Sequence, residues 1–245
     1  MAEKTQSKTK KIIKKALKGL GIFMFLIVLA AVAIPYFFQD RIMEEVKKVI
    51  NENVRAEIDF GDVGISMLRS FPDITLCLED LKVDGIEEFK GVRLADIKSF
   101  ETRLDIMSII NGELMKIERI SLDEPTLYVK VLKNGKANYD ITIPTEELDT
   151  MAVEPTKFAL SLDEYRITNG NIIYDDAVSD VWVEIINLNH RGKGDFTEAI
   201  YDLETKTTAD KFTASSGGVA YLNEVKTDID FTINIDMDHS KYTFK

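Results

Sequence analysis

The chain has 245 residues, of which 45% are hydrophobic and 30% charged, and its net charge is −11. The first 18 residues carry seven lysines against one glutamate, a net charge of +6, so the other 227 residues carry −17. This acidic body argues against nucleic acid as a partner, because phosphate binding needs a basic surface. Cys77 is the only cysteine, which excludes an intramolecular disulfide and a cysteine metal cluster.

An uncharged, mostly apolar segment at 19–39 follows the basic tail at 1–18. About 21 helical residues span about 30 Å, the thickness of the hydrocarbon core of a bilayer. The positive-inside rule keeps the lysine-rich N-terminus in the cytoplasm and sends the rest of the chain across the membrane. We therefore predict a single transmembrane anchor, whose representative residues are Leu20, Phe25, Leu29, Ile34, Tyr36 and Phe38.

A cleaved signal peptide is the alternative interpretation of this segment. Residues 31–33 form an A-x-A cleavage site after an apolar run. However, the apolar run continues beyond that site, and Tyr36, Phe37 and Phe38 suit an aromatic belt at the outer membrane interface. These features favour an uncleaved anchor.

The segment at 40–55 has the pattern of a short amphipathic helix, which we place from Asp40 to Asn53. Its apolar residues recur at spacings of three and four, and its charged residues occupy the other side. Such a helix needs a surface against which its apolar side can pack. The residues that form this side are Ile42, Met43, Val46, Val49 and Ile50.

From Ala56 onward the hydrophobic period changes to two, which is typical of strands with one buried and one solvent-facing side. The clearest alternation is at 228–238, where apolar residues alternate with mostly acidic ones. We divide this region into a first β segment at 56–145, an acidic loop at 146–157 and a second β segment at 158–245. Turns are predicted at Asp84-Gly85, Asn111-Gly112, Asn134-Gly135, Asn169-Gly170 and Gly217-Gly218.

Two short patterns recur within the β region. The run Ser121 to Glu124 reappears as Ser161 to Glu164, and the Asn134-Gly135 pair has a counterpart in Asn169-Gly170. The recurrence suggests a repeated strand-turn-strand unit. Chance is the alternative, because turn dipeptides are common.

The sequence contains no nucleophile elbow, P-loop, H-E-x-x-H motif, dinucleotide fingerprint or EF-hand loop. We therefore predict no catalytic residue, no metal site and no cofactor. His190 and His239 lie far apart without nearby ligand residues, so we expect both to be ordinary surface residues. The acidic pairs near Asp175 and Asp236 fit a solvated strand face better than a calcium site or glycosidase carboxylates.

No long helix is predicted after residue 55 to cover the apolar side of the strands. A closed barrel or sandwich would bury that side as a core, whereas an open curved sheet would leave an apolar trough. Exposed apolar surface of that size marks a site for lipid or for a partner, and acyl chains suit a trough tethered to a membrane. The candidate lining residues are Ile74, Leu76, Leu78, Leu104, Leu127, Val129, Val131, Ile229, Phe231, Ile233 and Ile235.

Several segments follow the anchor and the amphipathic helix in a characteristic order. They are Phe60-Gly61-Asp62-Val63, Phe71-Pro72-Asp73 before the strand 74–78, the run 108–113, Leu122-Asp123-Glu124-Pro125 and the run 134–139. In order and spacing they resemble the N-terminal region of the AsmA family, over roughly residues 11–143. A weaker similarity extends over 158–175.

This resemblance implies an inner-membrane-anchored envelope protein of a diderm bacterium, with the bulk of the chain in the periplasm. AsmA proteins are similar to eukaryotic chorein-type bridge proteins, whose long β-groove conducts phospholipids between membranes. Family members are commonly several hundred residues longer, so we expect this chain to be truncated at its C-terminus.

We accordingly predict a mainly β fold: one transmembrane helix, a short amphipathic helix, and a curved antiparallel β-sheet that forms an open groove like a half-barrel. The predicted function is phospholipid transport and outer-membrane lipid homeostasis, without enzymatic activity. The predicted partners are phospholipid acyl chains, the inner membrane, and an outer-membrane or periplasmic protein. The alternative function is an anchored periplasmic scaffold or assembly factor for outer-membrane biogenesis that conducts no lipid.

Overall fold

The structure is a computed structural model, and it divides the chain into two compact units, Met1–Arg41 and Ile42–Lys245. The structure describes five long stretches, 54–66, 73–105, 115–141, 158–196 and 198–244. It also describes the isolated positions 18, 19, 22, 25, 41, 43, 44, 47, 48, 50, 70, 107, 108 and 111.

The predicted membrane anchor falls mostly outside the described residues. In the first unit the described positions, which include Ile22 and Phe25, are helical, and the Phe25 side chain is exposed. Within the part of the chain that the structure describes, no helix is long and apolar enough to cross a membrane. The other five residues predicted for the anchor lie outside the described residues: Leu20, Leu29, Ile34, Tyr36 and Phe38.

The second unit is built from strands, as the period of two predicts. Its described residues form ten strands and one 3₁₀ turn, Glu87–Phe89. The strands are β1 (Glu57–Asp59), β2 (Asp62–Ser66), β3 (Ile74–Asp84), β4 (Arg93–Asp105), β5 (Met115–Val131), β6 (Phe158–Asp176), β7 (Val181–Lys193), β8 (Ile200–Ser216), β9 (Val219–Asp236) and β10 (Lys241–Phe244).

All ten strands belong to one open, curved sheet and do not close into a barrel. Sequence order is kept across it, with β1 and β2 both pairing with β3 at one edge and β10 at the other. The pairing is antiparallel except between β5 and β6, which run parallel. The prediction of an antiparallel sheet is therefore wrong at this pair, where the long connection 132–157 lets the chain start β6 at the same end as β5.

The described residues of the predicted amphipathic helix are helical and meet the sheet. Met43 and Ile50, both on its predicted apolar side, pack against the buried core. On its charged side, Lys47 Nζ lies 2.7 Å from Asp59 Oδ1 and 4.8 Å from the centre of the Phe60 ring. The helix thus has the packing surface that its pattern requires. The predicted acidic loop at 146–157 lies outside the described residues.

The core that this helix helps to cover lies on one side of β1 to β4. It contains Leu78, Leu81, Val83, Ala95 and Ile97, and Leu122 and Leu127 of β5 pack against it. On β3, Leu78 and Leu81 are three residues apart, and on β4 the same spacing separates Ile97 and Phe100. Both residues of each pair nevertheless contact the same core. Strict alternation would put residues three apart on opposite sides, so the alternation shifts by one residue within these strands.

On five strands a residue of positive φ lies in the middle of the strand, whereas β4 shows the shift without one among its described residues. We call these residues the phase-shift line; they are Asp80 on β3, Glu124 on β5, Asn169 on β6, Asn187 on β7 and Glu224 on β9. A non-glycine residue at positive φ costs about 1–2 kcal/mol, so each position needs compensation.

Polar contacts between neighbouring strands supply that compensation. Glu124 accepts a 2.6 Å hydrogen bond from Lys98 on β4, and Asn187 donates one of the same length to Asp210 on β8. The line is therefore held by cross-strand pairs of polar side chains, which keeps the apolar residues on one side of long strands.

Most of the predicted turns lie between strands, but one does not. The pairs at 84–85, 134–135 and 217–218 follow or separate strands, and Asn111 is in a turn. Asn169-Gly170 is instead inside β6, on the phase-shift line, so the predicted turn there is wrong. The repeated strand-turn-strand unit fails at the same place.

Gly170 tests the close packing at this line. An added Cβ would lie 2.8 Å from Ile167 Cγ2 and 3.2 Å from Pro125 Cγ, so Gly170→Ala should lower the free energy of unfolding by about 1–3 kcal/mol. Gly64→Ala is the matched control, because its Cβ would meet only Cys77 Cβ, at 3.7 Å. Chemical denaturation of both variants measures the difference, and equal stabilities would contradict this packing.

Candidate functional site: the apolar face of the sheet

One side of the sheet carries a continuous row of mostly apolar residues. Directly paired residues on neighbouring strands share a side, so the register can be followed from strand to strand. We call this side the apolar face and the opposite side the polar face. One row of the apolar face runs through Leu78, Phe100, Leu122, Ile167, His190, Thr207 and Ile229.

The registers bring the eleven predicted lining residues onto this face. Ile74 pairs with Leu104, and Leu76 lies between Ile74 and Leu78 in the alternation of β3. Beyond the phase-shift line, Leu127 packs against the same core as Leu122, and Val129 and Val131 follow it at spacings of two. Ile229, Phe231, Ile233 and Ile235 pair with Thr207, Thr205, Leu203 and Tyr201. Their contact with lipid stays a prediction.

The apolar face is covered at one end and exposed at the other. Leu78, in the core beneath Met43 and Ile50, is 3% exposed. On the last two strands, Ile229 is 45% exposed and Phe244 is 71% exposed, although Ile235 near the end of β9 is buried. Leu222, Val225 and Tyr242 on the same two strands are also exposed. The face therefore opens from the helix-covered core at β1 to β4 toward the edge at β10.

Aromatic rings border the open end. Phe231 and Phe244, on neighbouring strands, have ring centres 6.0 Å apart. Large apolar side chains that remain exposed together on one face are uncommon in a soluble domain and indicate a binding surface.

A polar trio interrupts the floor of the apolar face. His190 Nδ1 lies 2.7 Å from Thr207 Oγ1, and His190 Nε2 lies 3.2 Å from Tyr165 Oη. The Tyr165 ring occupies the space beside Gly192, where any side chain would collide with it. Burial lowers the pKa of His190, so the ring is neutral at pH 7 and adds no charge to the floor.

His190 corrects the expectation that both histidines are ordinary surface residues. It is half-buried and bonded through both ring nitrogens, whereas His239 is exposed. The sequence gives little sign of this, since Tyr165 and Thr207 are remote along the chain. The row also contains three apolar residues that were not predicted to line it: Phe100, Leu122 and Ile167.

Cys77 lies on the polar face, where its Sγ is 2.9 Å from Glu79 Oε1. Burial, and then the hydrogen bond to Glu79, raise the pKa of the Cys77 thiol to about 11. The thiol therefore stays protonated at neutral pH and is a poor nucleophile. Among the described residues there is no group of three or more histidine, cysteine or acidic side chains that could hold a metal ion.

The buried histidine makes stability depend on pH. In the unfolded chain His190 takes up a proton near its ordinary pKa of 6.5, whereas the folded protein resists protonation, so stability falls as pH falls through that value. Melting temperatures measured between pH 7 and about pH 5.5 should drop in the wild type and drop less in His190→Gln. His239→Gln, at an exposed position, should retain the full drop; an equal drop in His190→Gln would contradict the assignment.

The sequence matches a known protein family. A search of curated proteins and of solved structures returns no match to the chain. The model of the AsmA family matches residues 9–242, which is nearly the whole length and includes segment 19–39, predicted to be an anchor, and all but the end of β10. The resemblance noted in the sequence is thus confirmed, and the chain belongs to the AsmA family.

Proposed function

We propose that the apolar face is the floor of an open groove that holds phospholipid acyl chains. In this proposal the protein serves phospholipid transport and outer-membrane lipid homeostasis. Segment 19–39 anchors it in the inner membrane with the N-terminus in the cytoplasm, and the sheet works in the periplasm. Family membership is consistent with such an envelope role.

The observation that carries the proposal is the exposure of the apolar face near the β10 edge. Ile229 and Phe244 lie on the same face as the buried core, with the polar trio around His190 between them and that core, yet they remain exposed. A closed domain would bury such residues, so their exposure is best explained by an occupant that comes and goes.

The energetics suit a hydrocarbon chain. Each methylene moved from water onto an apolar surface gains about 0.8 kcal/mol, so an acyl chain in the groove gains free energy along its whole length. The interaction is non-directional, because the floor offers few hydrogen-bonding groups apart from the trio around His190. A lipid held in this way can slide between equivalent positions, which is what conduction requires.

The helix and the polar face have supporting roles in this proposal. The helix that contains Met43 and Ile50 covers one end of the groove, so lipid occupies the face beyond it. The polar face keeps the sheet in water. No bond is made or broken, and a periplasmic or outer-membrane protein receives the lipid.

A charge placed in the groove should expel lipid. Ile229→Asp puts a carboxylate on the apolar face, and because Ile229 is already 45% exposed the fold should tolerate it. We expect binding of a fluorescent phospholipid to the delipidated full chain to weaken about tenfold, since the carboxylate must lose water to meet hydrocarbon. Comigration on native gels in detergent measures the bound lipid.

Thr232→Asp is the matched control for this experiment. It adds the same charge to the same strand but on the polar face, opposite Glu204. It should bind lipid like the wild type, and the micelle contributes equally to both samples. Equal binding by the two variants, or no binding above empty micelles, would contradict the lipid groove and favour the protein-binding scaffold.

A further inference from the structure

The polar face is not uniformly acidic, and one of its rows places three cations side by side. Arg166 pairs with Arg191, and Arg191 pairs with Lys206, on three adjacent strands. Neighbouring strands lie about 4.8 Å apart, and like charges directly opposite each other destabilise a sheet. We call these three residues the cation row.

The adjacent row on the same face provides the contrast. There Arg119, Glu164, Lys193 and Glu204 follow one another across four strands, so that opposite signs alternate in the register, although only Arg119 and Glu164 approach within 4.0 Å. This is the arrangement expected when a polar face is stabilised by its own charges. The cation row departs from it over the same strands.

Nearby acids do not neutralise the cation row. Arg166 donates a 2.6 Å hydrogen bond to Glu164, which also lies 3.2 Å from Arg119. Burial alone would raise the pKa of Glu164, but the hydrogen bond from Arg166 and the neighbouring arginine charges outweigh it and hold that pKa below its ordinary value. One carboxylate thus interacts with the charges of three arginines, Arg119, Arg166 and Arg191.

The other two cations have still less compensation. Arg191 and Lys206 form no ion pair within 4.0 Å with any residue that the structure describes. Asp230 is opposite Lys206 in the register, but it does not approach within that distance. Neither side chain is therefore held in a direct ion pair, although the charge of Arg191 still interacts with that of Glu164.

The cation row borders a depression that contains hydrogen-bond donors and no acid. Its volume is about 360 Å³, and the three cations line it together with Thr168, Asn189 and Thr208. Ile167 and His190, which belong to the row of the apolar face, also border it. Asn189 is fixed, since its Oδ1 accepts from the Asn169 backbone N–H and its Nδ2 donates to the Asn187 carbonyl. The hydroxyls of Thr168 and Thr208 make no side-chain hydrogen bond to a described residue.

We infer that this depression binds a phosphate-bearing anion. The cation row supplies the charge, the two threonine hydroxyls supply neutral donors, and the bound anion relieves the repulsion that the bare row carries. The ligand is either a soluble phosphate compound or the headgroup of an anionic phospholipid, which share this chemistry. The three cations lie on the side opposite the proposed lipid groove, so the argument for this site does not rest on that groove.

Titration of the full chain in zwitterionic detergent with inorganic phosphate tests the site by calorimetry. Arg191→Gln should weaken binding about tenfold or more, because it removes the central charge-assisted contact. Lys193→Gln is the matched control: it makes the same change in charge on the same strand and face, but in the row of alternating signs. It should leave phosphate affinity within about twofold.

A second measurement guards against loss of the fold. Without ligand and at low salt, Arg191→Gln should melt at or above the wild-type temperature because it relieves repulsion, whereas Lys193→Gln should melt lower. Soluble dihexanoyl phosphatidic acid distinguishes the two sources: tighter Arg191-dependent binding than inorganic phosphate indicates a lipid headgroup, and weaker binding indicates a soluble phosphate. Unsaturable phosphate binding by the wild type, or equal weakening in both variants, would overturn the site.

Discussion

An apolar surface that the protein does not bury is the constraint on which this structure depends. Successive strands turn their apolar residues to one side, and the helix that contains Met43 and Ile50 packs on the core that lies over β1 to β4. Toward β10 the same surface meets water, as the exposure of Ile229 and Phe244 indicates. A closed barrel would remove the exposure but also the binding surface. The open sheet therefore leaves apolar area in contact with water, a free-energy cost that a bound acyl chain would offset in the proposed function.

The phase-shift line is what makes so wide an apolar face compatible with long strands. At Glu124, Asn169 and Asn187 the backbone takes positive φ, and the side-chain alternation slips by one residue on each strand in step with its neighbours. A slip on one strand alone would send half of its apolar residues to water. Cross-strand contacts such as Lys98 with Glu124 hold the line, so these polar residues support the apolar floor although they lie outside it.

Sequence reasoning recovered the family, the β architecture, the packing of the amphipathic helix and most of the turns, because each depends on local patterns. It failed where a local pattern has a non-local cause. Asn169-Gly170 has the composition of a hairpin turn, yet Pro125 and Leu188 on the flanking strands hold it inside β6. His190 looked like an ordinary surface residue because its partners Tyr165 and Thr207 are 25 and 17 residues away. The cation row likewise exists only once the register of β6, β7 and β8 is known.

Site-specific photo-crosslinking along two strands tests the lipid groove most directly. A crosslinker is placed in turn at 228–233 of β9 and at 183–191 of β7 in the full chain, in cell membranes, and phospholipid adducts are identified by mass spectrometry. The account predicts adducts at 229, 231 and 233 but not at the positions between them. On β7 it predicts adducts at 183 and 185 and then, after the phase-shift line at Asn187, at 190, since Leu188 on the same side is buried. Equal yields on both sides of the strands, or no lipid adduct at any position, would contradict it.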